Sequence, residues 1–300
     1  TVTADPSGAL GGSFTATYTK DGTPYTDELH VTEWTEWVDA GSLVTLSNAQ
    51  DPIIVGSTRY VFDHYSESFP YTMGSATTVT LYYDTQYLLT VTADPAGAKG
   101  GSFKADYTLA GSPHLDEVHL TDWTQWVDAN TGVTISNAQD PIIVGSTRYV
   151  FDHYSETFPY TMSSPATITL YYNTQYLLTV TASPSGALGG SFKADYTLGG
   201  SPHTDEVHAT EWTQWVDAGT GVTISDPQYT IPPMYKFDHY DPSNTVTMDG
   251  PRTITLVYIE LPYSAVTTSS LCPFDTDKNP ATGQQFNLLF TRDITDLTKY

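Results

Sequence analysis

Two sets of histidines recur in register along this sequence, and every one of them lies close to a carboxylate. The first set is His30, His119 and His208, and the second is His64, His153 and His239. Imidazole and carboxylate together can ligate a transition metal, and an Asp–His pair is part of many nucleophilic active sites. No activated serine or cysteine recurs near them, however, and no spacing brings the two sets together. We therefore favour a structural interpretation, in which each histidine hydrogen-bonds to its acidic neighbour at a strand edge.

Three tryptophans at equivalent positions are the candidate binding residues: Trp34, Trp123 and Trp212. An exposed indole can stack on a sugar ring or seal a contact to a neighbouring chain. In so small a domain an aromatic side chain more often belongs to the core, and this alternative stays open. Trp34 and Trp37 fall on opposite faces of a regular strand, so either a bulge near Glu33 reconciles them or one indole per domain is exposed.

Near the end of the chain, the spacing Asp275-x-Asp277-x-Asn279 matches the first ligands of a calcium-binding loop. Pro280 stands where such a loop has its glycine, and Phe286 stands where it has its last glutamate. We therefore expect no cofactor, with Ca²⁺ held by the two aspartates and the asparagine as the weaker alternative.

The elements that position these residues come in three copies. Thr1-Val2-Thr3-Ala4-Asp5-Pro6 returns at residue 90 and, with one change, at residue 179, so the period is 90 − 1 = 89 and again 179 − 90 = 89 residues. A period of this length predicts one small domain per copy. The predicted domains are repeat 1 at residues 1–85, repeat 2 at 86–174, repeat 3 with a divergent loop at 175–260, and the start of a different β-rich domain at 261–300.

Within each repeat, apolar and polar residues alternate with a period of two, as in a half-buried β-strand. Phe14, Ala16 and Tyr18 are kept in all copies, whereas the residues between them change from threonine to lysine or aspartate. Pro-Ser-Gly, Gly-Gly and Asp-Gly turns separate such segments, and no helical period of useful length is present. The sequence predicts an all-β fold of three tandem small antiparallel β-sandwich or β-grasp-like domains.

The repeats are joined without a flexible linker. Short polar segments, Asp84-Thr85-Gln86 and then Asn173-Thr174-Gln175, separate the last strand of one repeat from the first strand of the next. A short joint without glycine restricts the angle between neighbouring domains. With each domain roughly 25–35 Å across, we expect a stiff, elongated rod of about 100 Å.

Five segments of repeat 2 match the pattern of a known family. They are Leu89 to Phe103 with its Gly-Gly-Ser-Phe hairpin, Trp126 to Ala129, Gly132 to Ser136, Tyr149 to Tyr154, and Met162 to Tyr171. Their aromatic and turn spacing resembles that of the divergent internalin-type B repeats, Ig-like or β-grasp-like domains of bacterial and archaeal surface proteins. The resemblance implies an extracellular, β-rich spacer or adhesive module without catalytic residues. This chain departs from it at Tyr154, where such repeats often carry tryptophan, and in its added Asp-Glu-x-His strand.

Composition narrows the class of protein further. Lys and Arg total 11 against 34 acidic residues, a formal net charge of -23, which argues against a nucleic-acid partner because phosphates need a basic face. No apolar run approaches the length of a membrane helix. The single cysteine, Cys272, lies outside the repeats and either pairs with a cysteine beyond Tyr300 or is free. We interpret the sequence as a segment of a longer, processed protein.

We therefore expect a non-enzymatic structural protein of the extracellular cell surface: a stalk, sheath, filament subunit or adhesin segment. Its expected partners are neighbouring copies of itself or other surface proteins, which unpaired edge strands could bind by adding a strand. The first alternative is a carbohydrate- or ligand-binding repeat array, with glycans as partners, attached to a larger surface protein or secreted enzyme. The second is a secreted hydrolase whose catalytic domain lies outside this sequence.

Overall fold

The structure is a computed structural model that describes residues 1–232 and 234–262. The chain divides into two compact units, residues 1–174 and the segment from residue 175 onward. The first unit contains repeats 1 and 2, and the second contains repeat 3. Within the described ranges, no helix has the length and apolar character needed to cross a membrane.

Short strands follow one another in nearly the same order in repeats 1 and 2. Those of repeat 1 are β1 (Val2–Asp5), β2 (Ser13–Lys20), β3 (Thr23–Val31), β4 (Leu43–Ser47), β5 (Ile53–Val55), β6 (Thr58–Tyr65), β7 (Tyr71–Thr72) and β8 (Val79–Asp94). Those of repeat 2 are β9 (Ser102–Leu109), β10 (Ser112–Leu120), β11 (Trp123–Asp128), β12 (Gly132–Ser136), β13 (Ile142–Val144), β14 (Thr147–Tyr154), β15 (Tyr160–Thr161) and β16 (Ala166–Ser183). The end of β8 also serves as the first strand of repeat 2. A 3₁₀ turn follows the first strand of each repeat, at Ser7–Ala9 after β1 and at Ala96–Ala98 after β8.

The second unit follows the same plan. Its strands after β16 are β17 (Ser191–Leu198), β18 (Ser201–Ala209), β19 (Trp212–Asp217), β20 (Gly221–Ser225), β21 (Thr230–Ile231), β22 (Tyr235–Asp241), β23 (Thr245–Thr247) and β24 (Arg252–Glu260). A 3₁₀ turn lies at Ser185–Ala187.

Two sheets enclose the core of each repeat. In repeat 1 one sheet has the order β3-β2-β4-β7, and the other contains β5, β6, β8 and β1. Phe14, Ala16 and Tyr18 of β2 share one hydrophobic cluster with Leu81 and Tyr83 of β8. Repeats 2 and 3 have separate clusters of the same kind. The predicted all-β fold of tandem small sandwiches is confirmed, and each core supplies its own hydrophobic stabilisation.

One strand pair in each repeat is parallel, which differs from the predicted antiparallel fold. The first and last strands run parallel, and the paired residues are 2–5 with 79–82, 89–94 with 166–171, and 178–183 with 252–257. A local alternation pattern shows which residues of a strand are buried but not which distant strand lies beside it. The parallel pairing could therefore not be predicted from the local sequence pattern, and it is seen only in the tertiary structure.

The middle residue of the 3₁₀ turn after the first strand must be glycine, because there is no space beside it for a side chain. A Cβ atom on Gly8 would lie 1.9 Å from the Tyr60 hydroxyl oxygen, and one on Gly97 would lie 1.9 Å from the Tyr149 hydroxyl oxygen. Van der Waals contact requires roughly twice that separation. The turn and the tyrosine are therefore fitted to each other in both repeats of the first unit.

Candidate functional site

The first histidine set belongs to a cluster of acidic and aromatic side chains on β10 and its equivalents. In repeat 2, Glu117 lies between two imidazoles, with His114 Nδ1 at 2.9 Å from one carboxylate oxygen and His119 Nε2 at 3.4 Å from the other. The Tyr107 hydroxyl donates to the same carboxylate at 2.8 Å. The corresponding residues of repeat 3 are Tyr196, His203, Glu206 and His208. A bulge in β10 between His114 and Glu117 makes this arrangement possible.

Repeat 1 differs from the other two by one residue of this cluster. Tyr25 replaces His114, and its ring stacks on Tyr18 with the centroids 5.0 Å apart. In repeat 2 the His114 ring stacks on Tyr107 in the same way, at 4.7 Å. Because this histidine occurs in only two of the three copies, a search for residues common to all repeats misses it.

The cluster shifts the pKa values of its members. The hydrogen bond with His114, followed by that from Tyr107, holds the pKa of Glu117 below its ordinary value. In repeat 1, burial and then the hydrogen bond to Glu28 raise the pKa of Tyr18 to about 12. These are charge-assisted hydrogen bonds that hold a hairpin together. In the part of the chain that the structure describes, no three or more His, Cys, Asp or Glu side chains are grouped so as to hold a metal ion.

The second histidine set lies on the surface, and each member bonds to the aspartate before it. His64 Nδ1 is 2.7 Å from a carboxylate oxygen of Asp63. The equivalent distances at His153 and His239 are both 2.8 Å. Each histidine of this set therefore makes the expected hydrogen bond to its acidic neighbour.

The candidate tryptophans pack against the core instead of facing solvent. The Trp123 ring stacks on His119 with the centroids 4.1 Å apart and meets Phe103 edge to face at 5.9 Å. Trp34 and Trp212 make the equivalent stacking contacts with their own histidines, also at 4.1 Å. All three are half-buried, which agrees with the core alternative and corrects the alternative of exposed indoles at these positions. The physical reason is that an inward-facing histidine of the preceding strand provides each indole with a flat partner.

The indole that faces solvent is Trp37 of repeat 1, which is 85% exposed. An open cleft of about 450 Å³ runs beside it and is also lined by Glu36, Met73 and Thr77. The equivalent residue of repeat 2, Trp126, is half-buried.

A hydrogen-bonded network at the joint between repeats 1 and 2 covers Trp126. The Arg59 guanidinium lies over this indole, 5.0 Å from the ring centroid. Arg59 Nε donates to the side-chain oxygen of Gln86 at 2.7 Å, and Gln86 Nε2 donates to Asp128 at 2.8 Å. Gln86 is 1% exposed, and burial lowers the pKa of Arg59. We call Arg59, Gln86, Trp126 and Asp128 the joint network.

The backbone of the joint is part of a sheet. β8 runs without interruption through residues 84–86, which pair with β6 of repeat 1 on one side. Residues 86–91 pair with β11 of repeat 2 on the other side. The short polar segment predicted as a joint is therefore the middle of a strand that both repeats share. In the second unit, Gln175 Nε2 makes the equivalent hydrogen bond to Asp217 at 2.8 Å.

The sequence contains a signal for this network that the search for chemical motifs overlooks. Arg59 and Gln86 recur as Arg148 and Gln175, whereas repeat 3 has Met234 and Leu261 at the same places. Both residues are kept only where another repeat follows. This correlation could identify a joint from the amino-acid sequence alone.

Each four-stranded sheet presents an edge strand with exposed apolar side chains. β3, β10 and β18 form these edges. Leu29, Val118 and Val207 on them are 72%, 66% and 68% exposed. An edge of this kind has unpaired backbone groups that can accept another strand.

Several predicted features fall outside the described residues. They are the calcium-loop candidates Asp275, Asp277 and Asn279, the single cysteine Cys272, and nearly all of the fourth domain predicted at residues 261–300.

No protein-family model matches this chain, and no curated protein matches it either. Among solved structures it is similar to BcpA, the major pilin subunit of Bacillus cereus, with 10% identity, a TM-score of 0.33, and coverage of 86% of this chain and 97% of that one. It is similar to the Bacillus anthracis TIE protein, with 13% identity, a TM-score of 0.29, and coverage of 85% and 48%. It is also similar to the pilus adhesin SpaC from Lactobacillus rhamnosus GG, with 12% identity, a TM-score of 0.26, and coverage of 87% and 42%.

Proposed function

We propose that this chain is a non-enzymatic structural protein of the extracellular cell surface, acting as a stalk, sheath or filament subunit or as an adhesin segment. The observation that carries the proposal is the joint between repeats 1 and 2, where β8 passes from one core into the next. Each further domain of a tandem array adds length and another copy of the same surfaces. Such an array gains reach only if its joints resist bending.

The joint network provides that resistance between repeats 1 and 2. Gln86 is buried and bonds to a cation on one side and an anion on the other. Hydrogen bonds to charged groups contribute about 1.5–3 kcal/mol each, which is more than neutral ones. Bending the joint would break these bonds and uncover Trp126, so the favoured state is one defined angle.

The partners that we propose are neighbouring copies of this chain or other surface proteins. β3 and β10 offer unpaired strand edges with the exposed apolar side chains Leu29 and Val118. Adding a strand from a neighbour would satisfy the backbone and cover these side chains. The edge is repeated with the period of the array, so a second array could bind at several places at once.

Electron microscopy tests this proposal. Native material and intact source cells are labelled with an antibody raised against this chain, and a pre-immune serum serves as the control. We expect gold label on rods, fibres or a lattice outside the cell. Label confined to the cell interior would rule out the surface role.

A ligand-binding role is the second candidate, and the exposure of Trp37 beside an open cleft favours it. An exposed indole offers a flat apolar face to a sugar ring. The test is binding of the chain to a glycan panel. Binding that disappears in Trp37→Ala and persists in Trp126→Ala, whose indole is covered by Arg59, would support it. Equal binding by the parent and Trp37→Ala would exclude this site.

A further inference from the structure

The two terminal strands of each repeat lie side by side and point in the same direction. In repeat 1, residues 2–5 pair in parallel with residues 79–82. The Val79 amide donates to the Thr1 carbonyl at 2.9 Å, at the beginning of both strands. In repeat 2, residues 89–94 and 166–171 have the same relation.

This geometry determines how a repeat responds to tension. A pulling force enters at the beginning of the first strand and leaves at the end of the last one. In a parallel pair these two points lie at opposite ends, so the force slides the strands past each other and loads all the evenly spaced hydrogen bonds together. In an antiparallel terminal pair the two points would lie at the same end, and the bonds would break one after another.

The path of the force within the first unit stays inside one strand. Residues 79–82 of β8 end repeat 1, and residues 89–94 of β8 begin repeat 2. The stretch between them is paired with β6 on one side and β11 on the other. Tension therefore passes from one parallel pair to the next without crossing a loop.

The hydrogen bonds of the parallel pair are shielded from water on the core side. Val79 and Leu81 in repeat 1 and Val91 and Ile168 in repeat 2 are buried. Water that reaches a strained hydrogen bond can replace it, and a low local dielectric strengthens the bond that remains. The pair thus has both the direction and the protection that resistance to tension requires.

We infer that each repeat is a load-bearing unit, in which the parallel terminal strands act as a clamp against tension. The use of such a clamp in the organism rests on the surface role proposed above. The resistance itself is a property of the single chain and can be measured without any assembly.

Single-molecule pulling with two attachment geometries tests the clamp in repeat 1. One handle is placed at the N-terminus of the full chain carrying Cys272→Ser, and the other is placed on Asp84→Cys or on Ser75→Cys; Asp84 and Ser75 are both exposed. Residue 84 follows the end of the parallel pair, so this geometry shears it. Residue 75 precedes the beginning of β8, so this geometry peels the pair apart from Thr1. Both variants are first shown to have the parent's urea midpoint.

The rupture force should be at least about twofold higher for the Asp84 handle than for the Ser75 handle, because forced unfolding follows the barrier along the pulled direction. Unfolding releases 84 − 1 = 83 or 75 − 1 = 74 residues, so full extension gains of about 280 Å and 250 Å identify the events. Equal forces in the two geometries, or a higher force for Ser75, would overturn the clamp. That result would leave the surface role standing, and failure of the microscopy test would leave the clamp standing.

Discussion

Repeats 1 and 2 have nearly the same sequence around their second tryptophan, but the two indoles differ in environment. Trp37 is 85% exposed, whereas Trp126 is half-buried beneath Arg59. In repeat 2, residues 123–128 form β11 against β8. In repeat 1 the equivalent segment is tied to the sheet by a bridge between Val2 and Trp34. The comparison teaches that contact with repeat 1, and not the local sequence, is what covers Trp126.

Removing Gln86, the central residue of the joint network, should have the largest effect on stability and on the difference in exposure between Trp37 and Trp126. Gln86→Ala removes the buried amide that accepts from Arg59 and donates to Asp128, so the free energy of unfolding of the first unit should fall by about 3 kcal/mol. Urea denaturation measures this loss. Acrylamide quenching should show Trp126 becoming as accessible as Trp37.

A glutamine outside the joint provides the control for that experiment. Gln50 is exposed and accepts a hydrogen bond from the Ser13 amide. Gln50→Ala should change stability by less than about 0.5 kcal/mol. Equal losses of stability from Gln86→Ala and Gln50→Ala would mean that the burial of Gln86 at the joint does not contribute to the free energy of unfolding.

The two tryptophans themselves give the next largest effect. Trp126→Ala removes half-buried apolar area and the cation–π contact with Arg59, and should cost about 2 kcal/mol. Trp37→Ala removes an exposed ring and should cost less than about 0.5 kcal/mol. Thermal and urea unfolding of both variants decide the matter. A comparable cost at the two positions would contradict the role that we give to repeat 1 in covering Trp126.

The 3₁₀ turns test the comparison in the opposite way, because the same substitution there should lower the stability of both repeats equally. Gly8→Ala and Gly97→Ala each force a methyl group into a tyrosine hydroxyl, and each should cost about 1.5 kcal/mol. Gly74 has open space around it, so Gly74→Ala is the matched control and should leave stability nearly unchanged. Unequal costs at Gly8 and Gly97 would show that the joint also alters the turn.

The smallest expected effect is a change in how stability depends on pH. It comes from His114, which bonds to Glu117 in repeat 2 and is replaced by Tyr25 in repeat 1. His114 lowers the pKa of Glu117, so this carboxylate adds stability that is fully present above its unfolded pKa and is lost as the pH falls through the lowered folded value. His114→Tyr installs the residue of repeat 1, and the pKa of Glu117 should rise. The acid-side loss of stability should shrink accordingly.

A carboxyl-directed NMR titration measures that shift. His153→Gln is the control, because His153 bonds to Asp152 and not to Glu117. If the pKa of Glu117 is the same in His114→Tyr as in the parent, the hydrogen bond from His114 does not lower that pKa.

The fold could be predicted from the sequence to the extent that it depends on local periodicity. The alternation at Phe14, Ala16 and Tyr18 reports directly which side of a strand is buried, and all three are in the core. The parallel pairing of β1 with β8 could not be predicted in this way, because the paired residues are 79 − 2 = 77 positions apart. Such a contact depends on how the two sheets close over one another.

The site residues were predicted less well for a related reason. The sequence leaves Trp34 open between an exposed indole and a core residue, because its burial depends on the ring of His30 and on a bulge in β3. Trp37 and Trp126 share a local sequence context and differ through a neighbouring domain. Periodicity within one repeat carries no information on either point.

The sharing of β8 has a consequence for folding. If repeat 1 melts, β11 of repeat 2 keeps its partner strand, but the joint network loses Arg59, so part of the stability of repeat 2 is held by its neighbour. In an array with such nearest-neighbour coupling, the two repeats do not melt as independent domains. We therefore expect one cooperative heat-absorption peak for residues 1–174, sharper than the sum of two separate small domains would give.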